Sequence, residues 1–234
     1  MPERTADTLP TLDPGVTLLR RPEPRDAGLH RLVVAELRRT DGAAYWVDAR
    51  NEAATRVLYE AAGGGSAGVL SALRIARAFT AHQHHELVRS LPGRVSPEAS
   101  IVVLPRLPSL YRDPDVPDAE ARRLLDSTLA VLAELADALD LSVLVTADGP
   151  DDALAARVRD VAADEVTCRR TRMGLAFESE TFSTDAYWRD GWWQTTVPYW
   201  VDLLGVAPEG TFRPDADAAE SATDPLAAWV GGPV

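Results

Sequence analysis

Short apolar runs alternate with amphipathic stretches along most of the chain. Gly15–Leu19 (GVTLL), Ala44–Asp48 (AYWVD), Ser100–Leu104 (SIVVL) and Ser142–Thr146 (SVLVT) read as strands, the last two continuously apolar as in a sheet buried on both faces. Leu73–Ala78 reads as a further strand. Between these runs apolar residues recur at helical spacing. A helix is predicted from about Leu29 to Arg39, with Leu29, Leu32, Val33, Glu36 and Leu37 at helical spacing. Asn51 is placed to cap a second helix to Ala62, which GGGS at 63–66 would end. A third is predicted around His84–Ser90. The longest runs from Asp118, taken as its cap, to about Leu139, with Leu124, Leu125, Leu129, Leu132, Leu135 and Leu139 inward. A last helix covers Asp152–Ala162.

From Glu165 the pattern changes. EVTCRRT and MGLAFESET alternate polar and apolar residues, which predicts antiparallel strands at a sheet edge. Strands alternating with helices imply parallel crossover units and a doubly wound, three-layer αβα domain of the α/β class. The predicted organisation is a flexible arm over 1–14, one domain over 15–206, and an acidic, disordered tail over 207–234.

Composition narrows the chemistry. All 24 basic residues are arginine, set against 36 acidic ones, for a net charge of −12. Without lysine there is no Schiff-base amine and no standard phosphate-loop ammonium. A strongly acidic surface also disfavours a broad electrostatic grip on nucleic acid. Heavy use of Ala, Val, Arg and Asp suits a GC-rich genome, with a halophilic archaeon as the expected source and an actinobacterium as the alternative. Cys168 is the single cysteine, so no disulfide forms within the chain. With neither an apolar leader nor a run of membrane-spanning length, a cytoplasmic protein is expected.

The stretch LRIARAFTAHQHHELVRSL (73–91) resembles the segment of archaeal RecA/RadA-type recombinases and their paralogues that passes from a core strand into a helix. The resemblance rests on Ala76-Arg77-Ala78-Phe79 and on His82-Gln83. In element order it extends over about 15–185, with SIVVL standing at the Walker B strand and SVLVT following the long helix. It implies a RecA-like fold, an ancestral ATPase and a context of DNA recombination or repair. Four catalytic parts of that family are missing. The span matching the phosphate loop, Arg20 to His30, contains Pro22, Pro24, Glu23 and Asp26 and keeps only Gly28. Pro105 stands at the Walker B acid, Arg50 at the water-polarising glutamate and Asp148 at the polar sensor. Phosphoryl transfer depends on those groups for positioning and charge, so a pseudo-ATPase without cofactor is expected.

Several clusters are candidate sites. Arg20, Arg21, Arg25 and Arg31 surround the altered phosphate loop; they offer forks for an anion, although Glu23, Asp26 and Glu36 stand nearby as salt-bridge partners. Thus Arg21, Arg25 and Gly28 mark the degenerate cofactor region, and an atypical nucleotide enzyme is one alternative reading. Arg169, Arg170 and Arg172 form the strongest local basic patch, which a DNA-binding accessory factor would use and a charge-blunted edge strand would also explain. His82, His84 and His85 lack metal-ligand spacing and read as a polar helix start. Trp188, Trp192 and Trp193 belong to an aromatic segment over Tyr187–Trp200 that suits packing or a partner surface. In the tail, Leu226, Trp229 and Val230 form an apolar island suited to docking in a groove, with a disordered tail of no role as the alternative. The leading reading is a regulatory or scaffolding subunit that contacts a protein partner, such as an active RecA/RadA-family ATPase, through Trp188, Trp192, Trp193, Leu226 and Trp229.

Overall fold

The computed structural model describes residues 9–23, 27–63, 67–171, 174–179, 183–184, 186–189 and 192–195. Ten strands are present among them: β1 (Gly15–Arg20), β2 (Ala44–Ala49), β3 (Leu73–Ala78), β4 (Ile101–Leu104), β5 (Ser142–Val145), β6 (Asp164–Thr171), β7 (Gly174–Glu178), β8 (Ser183–Thr184), β9 (Ala186–Arg189) and β10 (Trp192–Thr195). The helices are α1 (Ala27–Arg39), α2 (Thr55–Ala61), α3 (Ala81–Arg89), α4 (Asp118–Leu139) and α5 (Ala153–Val161).

The main sheet has the order β3-β2-β4-β5-β1-β6-β7-β8. Its first six members are parallel, and β7 and β8 join antiparallel beyond β6. A separate antiparallel pair, β9–β10, sets Trp188 opposite Trp193 in register. The protein is thus α/β, with a mostly parallel sheet and an antiparallel edge. β1 and β2 are consecutive in sequence yet separated by β5 and β4, so the chain crosses two strands on leaving β1.

Alternation along β4 explains why its IVVL run is apolar throughout. Val102 and Leu104 join the core under α3, α4 and α5, whereas Ile101 and Val103 join the core under α1 and α2. Helices therefore cover both sheet faces. The α4 helix fits its predicted bounds and buries Ala121, Leu125, Thr128, Leu129, Leu132, Leu135 and Ala136. Leu124 and Leu139, expected inward, are only partly buried.

Three helix starts differ from expectation, each for a local reason. Asn51 does not cap α2; it and Arg50 take left-handed backbone, at φ 58° and 60°, in the turn that precedes the helix. Asp48 governs that turn, its Oδ1 accepting from Glu52 N at 2.9 Å and Ala53 N at 3.1 Å. Asp118 is the first residue of α4, and Pro117 takes the cap position. The third helix begins at Ala81, because the Thr80 hydroxyl accepts from Gln83 N and caps it three residues earlier than the apolar pattern indicated. Asp152 does cap α5, accepting from Leu154 N and Ala155 N.

One glycine is dictated by packing. A Cβ at Gly42, in the turn before β2, would lie 1.8 Å from the Glu98 carbonyl oxygen.

Candidate functional site

Because β1, β2, β4 and β5 run parallel, their carboxyl ends open onto one edge of the sheet, where doubly wound folds bind ligands. Here each end delivers a polar or charged residue. Arg21 follows β1, Glu52 follows the Asp48 turn after β2, Arg106 follows β4, and Thr146 and Asp148 follow β5. These residues meet in one cluster.

The Arg21 side chain is wholly buried. Its guanidinium grips Asp148 in a fork, Nε donating to Oδ1 at 3.1 Å and Nη2 to Oδ2. Nη1 donates to Glu52 Oε2 at 3.1 Å, and Nη2 also reaches Thr146 Oγ1 at 3.4 Å. Thr146 Oγ1 donates to Asp148 Oδ2 at 2.7 Å and accepts from Arg106 N at 2.8 Å. The Arg106 guanidinium closes the set, 3.6 Å from Glu52 Oε1. Burial alone would lower the Arg21 pKa; hydrogen bonds and charge from Asp148, then Glu52, outweigh it and hold the group above its ordinary value.

Two cations therefore balance two carboxylates. A cleft of about 330 Å³ beside the cluster is lined in part by Arg20, Arg21 and Arg159. Each of those arginines already has a carboxylate: Glu165 for Arg20, Asp148 and Glu52 for Arg21, Asp151 for Arg159. An incoming phosphate would meet the Asp148 carboxylate, which lines the same cleft. At about 4 Å, with an effective dielectric near 20, each like-charge contact costs roughly 4 kcal/mol. Pro22 contributes no N–H to an anion cradle.

The remaining candidates are dispersed. Arg20 is exposed. Gly28 is buried in the first turn of α1, and Arg25 lies outside the described residues. Arg169 and Arg170 are exposed on β6, and Arg169 is paired with Glu178 at 3.1 Å; Arg172 lies outside the described residues. Trp188 belongs to β9, and Trp192 and Trp193 to β10, by backbone pairing alone. Leu226 and Trp229 lie outside the described residues.

The histidines correct the expectation of a polar helix start. His84 and His85 are buried between α3 and α4. His84 Nδ1 is 2.9 Å from the Tyr111 hydroxyl, which is 2.9 Å from Thr128 Oγ1, and His85 Nδ1 is 3.1 Å from the same Thr128 oxygen. Burial, with a smaller contribution from His85, pushes the His84 pKa down to about 4. His85 is also lowered, chiefly by burial, and Tyr111 is raised by burial. His82 is exposed, 3.7 Å from Glu120. Among the described residues no group of His, Cys, Asp and Glu has the arrangement of a metal site, and no helix is long and apolar enough to cross a membrane.

Sequence reasoning missed Glu52, Arg106 and Thr146. The available signal was positional: a polar or charged residue immediately beyond each parallel strand belongs to the shared carboxyl edge. Compared with known proteins, the chain matches no family model and no curated protein.

Proposed function

We propose that the chain is a RecA/RadA-like paralogue that has lost its nucleotide chemistry and works as a regulatory or scaffolding subunit that binds protein. The reading is carried by one observation, the charge-balanced cluster of Arg21, Arg106, Glu52 and Asp148 at the strand ends. In the alignment suggested by the 73–91 resemblance, Arg21 stands at the start of the phosphate loop and Asp148 at the sensor position. Their mutual grip gives the space a new, self-sufficient occupant. A nucleotide would have to break an ion pair whose partners are buried, and one-sided loss of a buried pair costs about 3–5 kcal/mol. Protein contact falls to the aromatic positions Trp188, Trp192 and Trp193 and to Leu226 and Trp229 in the tail. An active ATPase of the same family, working in DNA recombination or repair, is the partner this resemblance implies.

Linkage provides the test. A ligand that binds only the folded state at 100 times its Kd stabilises it by about 2.7 kcal/mol. The urea midpoint is expected to be unchanged by millimolar magnesium-ATP. A rise of that size would overturn the reading.

A further inference from the structure

A second groove lies at the β3 edge of the sheet. About 620 Å³ in volume, it runs between β3 and the α3 side of the fold; Tyr45, Ile75, Leu87 and Leu91 line it together with Arg74 and Arg94. Among the described residues β3 is the last strand of the sheet and pairs only with β2. Three large apolar side chains are left exposed among the described residues, namely Tyr59, Ile75 and Phe79. Two of the three belong to β3 and the residue following it, so apolar exposure is concentrated here. Arg74 and Arg77 place charge along β3, the usual protection against addition of another strand. That leaves the groove for side-chain insertion.

Charge selects the occupant. Most arginines of the described fold are held by carboxylates, as at Arg20, Arg21, Arg50, Arg77, Arg112 and Arg157. Arg74 donates to the Ser71 carbonyl oxygen, and neither it nor Arg94 forms an ion pair among the described residues. An apolar groove with two available guanidiniums fits an acidic segment with closely spaced apolar anchors. The chain carries such a segment in its own tail, where Glu220 and Asp224 precede Leu226 and Trp229.

We propose that this groove receives residues 220–230 of a second copy of the chain, with Leu226 and Trp229 against Ile75, Leu87 and Leu91, and Glu220 and Asp224 against Arg74 and Arg94. The contact is heterologous, tail to groove, so it propagates from copy to copy unless a ring closes it. It deepens the scaffolding reading by naming one occupant, and it fails independently of the nucleotide result.

A fluorescein-labelled peptide of residues 220–234 is titrated with the full chain at low ionic strength, and self-association of the full chain is followed by sedimentation equilibrium. The peptide is expected to bind, to bind at least tenfold more weakly to Ile75→Asp and to Arg94→Glu, and to recover on Arg94→Glu when the peptide carries Asp224→Arg. The full chain is expected to self-associate, and Trp229→Ala to abolish this. The charge exchange separates a lost contact from a misfolded variant. Peptide binding indifferent to Ile75→Asp and Arg94→Glu overturns the proposal. So does peptide binding by a full chain that stays monomeric at every concentration.

Discussion

Arg21 is the residue on which the account turns. Its guanidinium pairs with two carboxylates, Glu52 and Asp148, that have little access to water. Arg21→Ala would remove the shared partner of both acids, and the expected loss of stability is about 3–5 kcal/mol by urea unfolding. Arg21→Lys is expected to recover only a minor part, because a point charge cannot reproduce the fork on Asp148. In the double variant Arg21→Met with Glu52→Gln the loss is expected to be smaller than for Arg21→Ala, since one uncompensated charge has gone with the cation. The sequence marked Arg21 as an anion fork or a salt-bridged surface residue and pointed to Glu23, Asp26 and Glu36 as partners. The partners found lie 31 and 127 residues away along the chain. Local spacing carries no information about such pairs; only the placement of β1, β2 and β5 in one sheet brings them together.

At the scale of elements, the α3–α4 interface is the informative packing. Ala81, His84, His85 and Val88 are the buried residues of α3, at i, i+3, i+4 and i+7. Two of the four are histidines, and a pattern read by hydrophobicity alone assigned them to the polar side. Their burial has a pH consequence with a definite sign. His84 titrates near 6.5 in the unfolded chain and near 4 when folded, so between those values the unfolded state binds more protons. Stability from this group is therefore complete above pH 6.5 and is lost as pH falls toward 4, by about 3 kcal/mol. His85 acts in the same direction. Asp152, held down to about 2 chiefly by its hydrogen bond from Arg112, adds to the loss only below about pH 4. Denaturant midpoints measured across pH 4 to 8 are expected to fall on the acid side, and His84→Gln to flatten that slope. The turn before β2 gives a further check: Gly42→Ala meets the Glu98 carbonyl and is expected to cost roughly 1–3 kcal/mol of stability, read from the same unfolding curves. Element order and most strand bounds were legible, because apolar runs buried on both sheet faces leave a strong local pattern. Helix starts were less legible, because Thr80, Pro117 and the Asp48 turn set them through side-chain geometry rather than periodicity.

For the whole molecule, the absence of lysine and the net charge of −12 acquire a structural setting. An acidic chain that uses only arginine can still place planar, permanently charged forks in buried positions, and the strand-end cluster does so. Composition by itself would exchange one cation for another; it does not account for Pro22 after β1, for Pro105 after β4, or for Asp148 turned onto Arg21. If the charges at this edge of the sheet occupy one another as proposed, no nucleotide binds there. Isothermal titration of the full chain with ATP and magnesium at high salt, followed by phosphate release on the same sample, tests it most directly. No binding heat and no turnover are expected, and micromolar binding, with or without turnover, would overturn the reading.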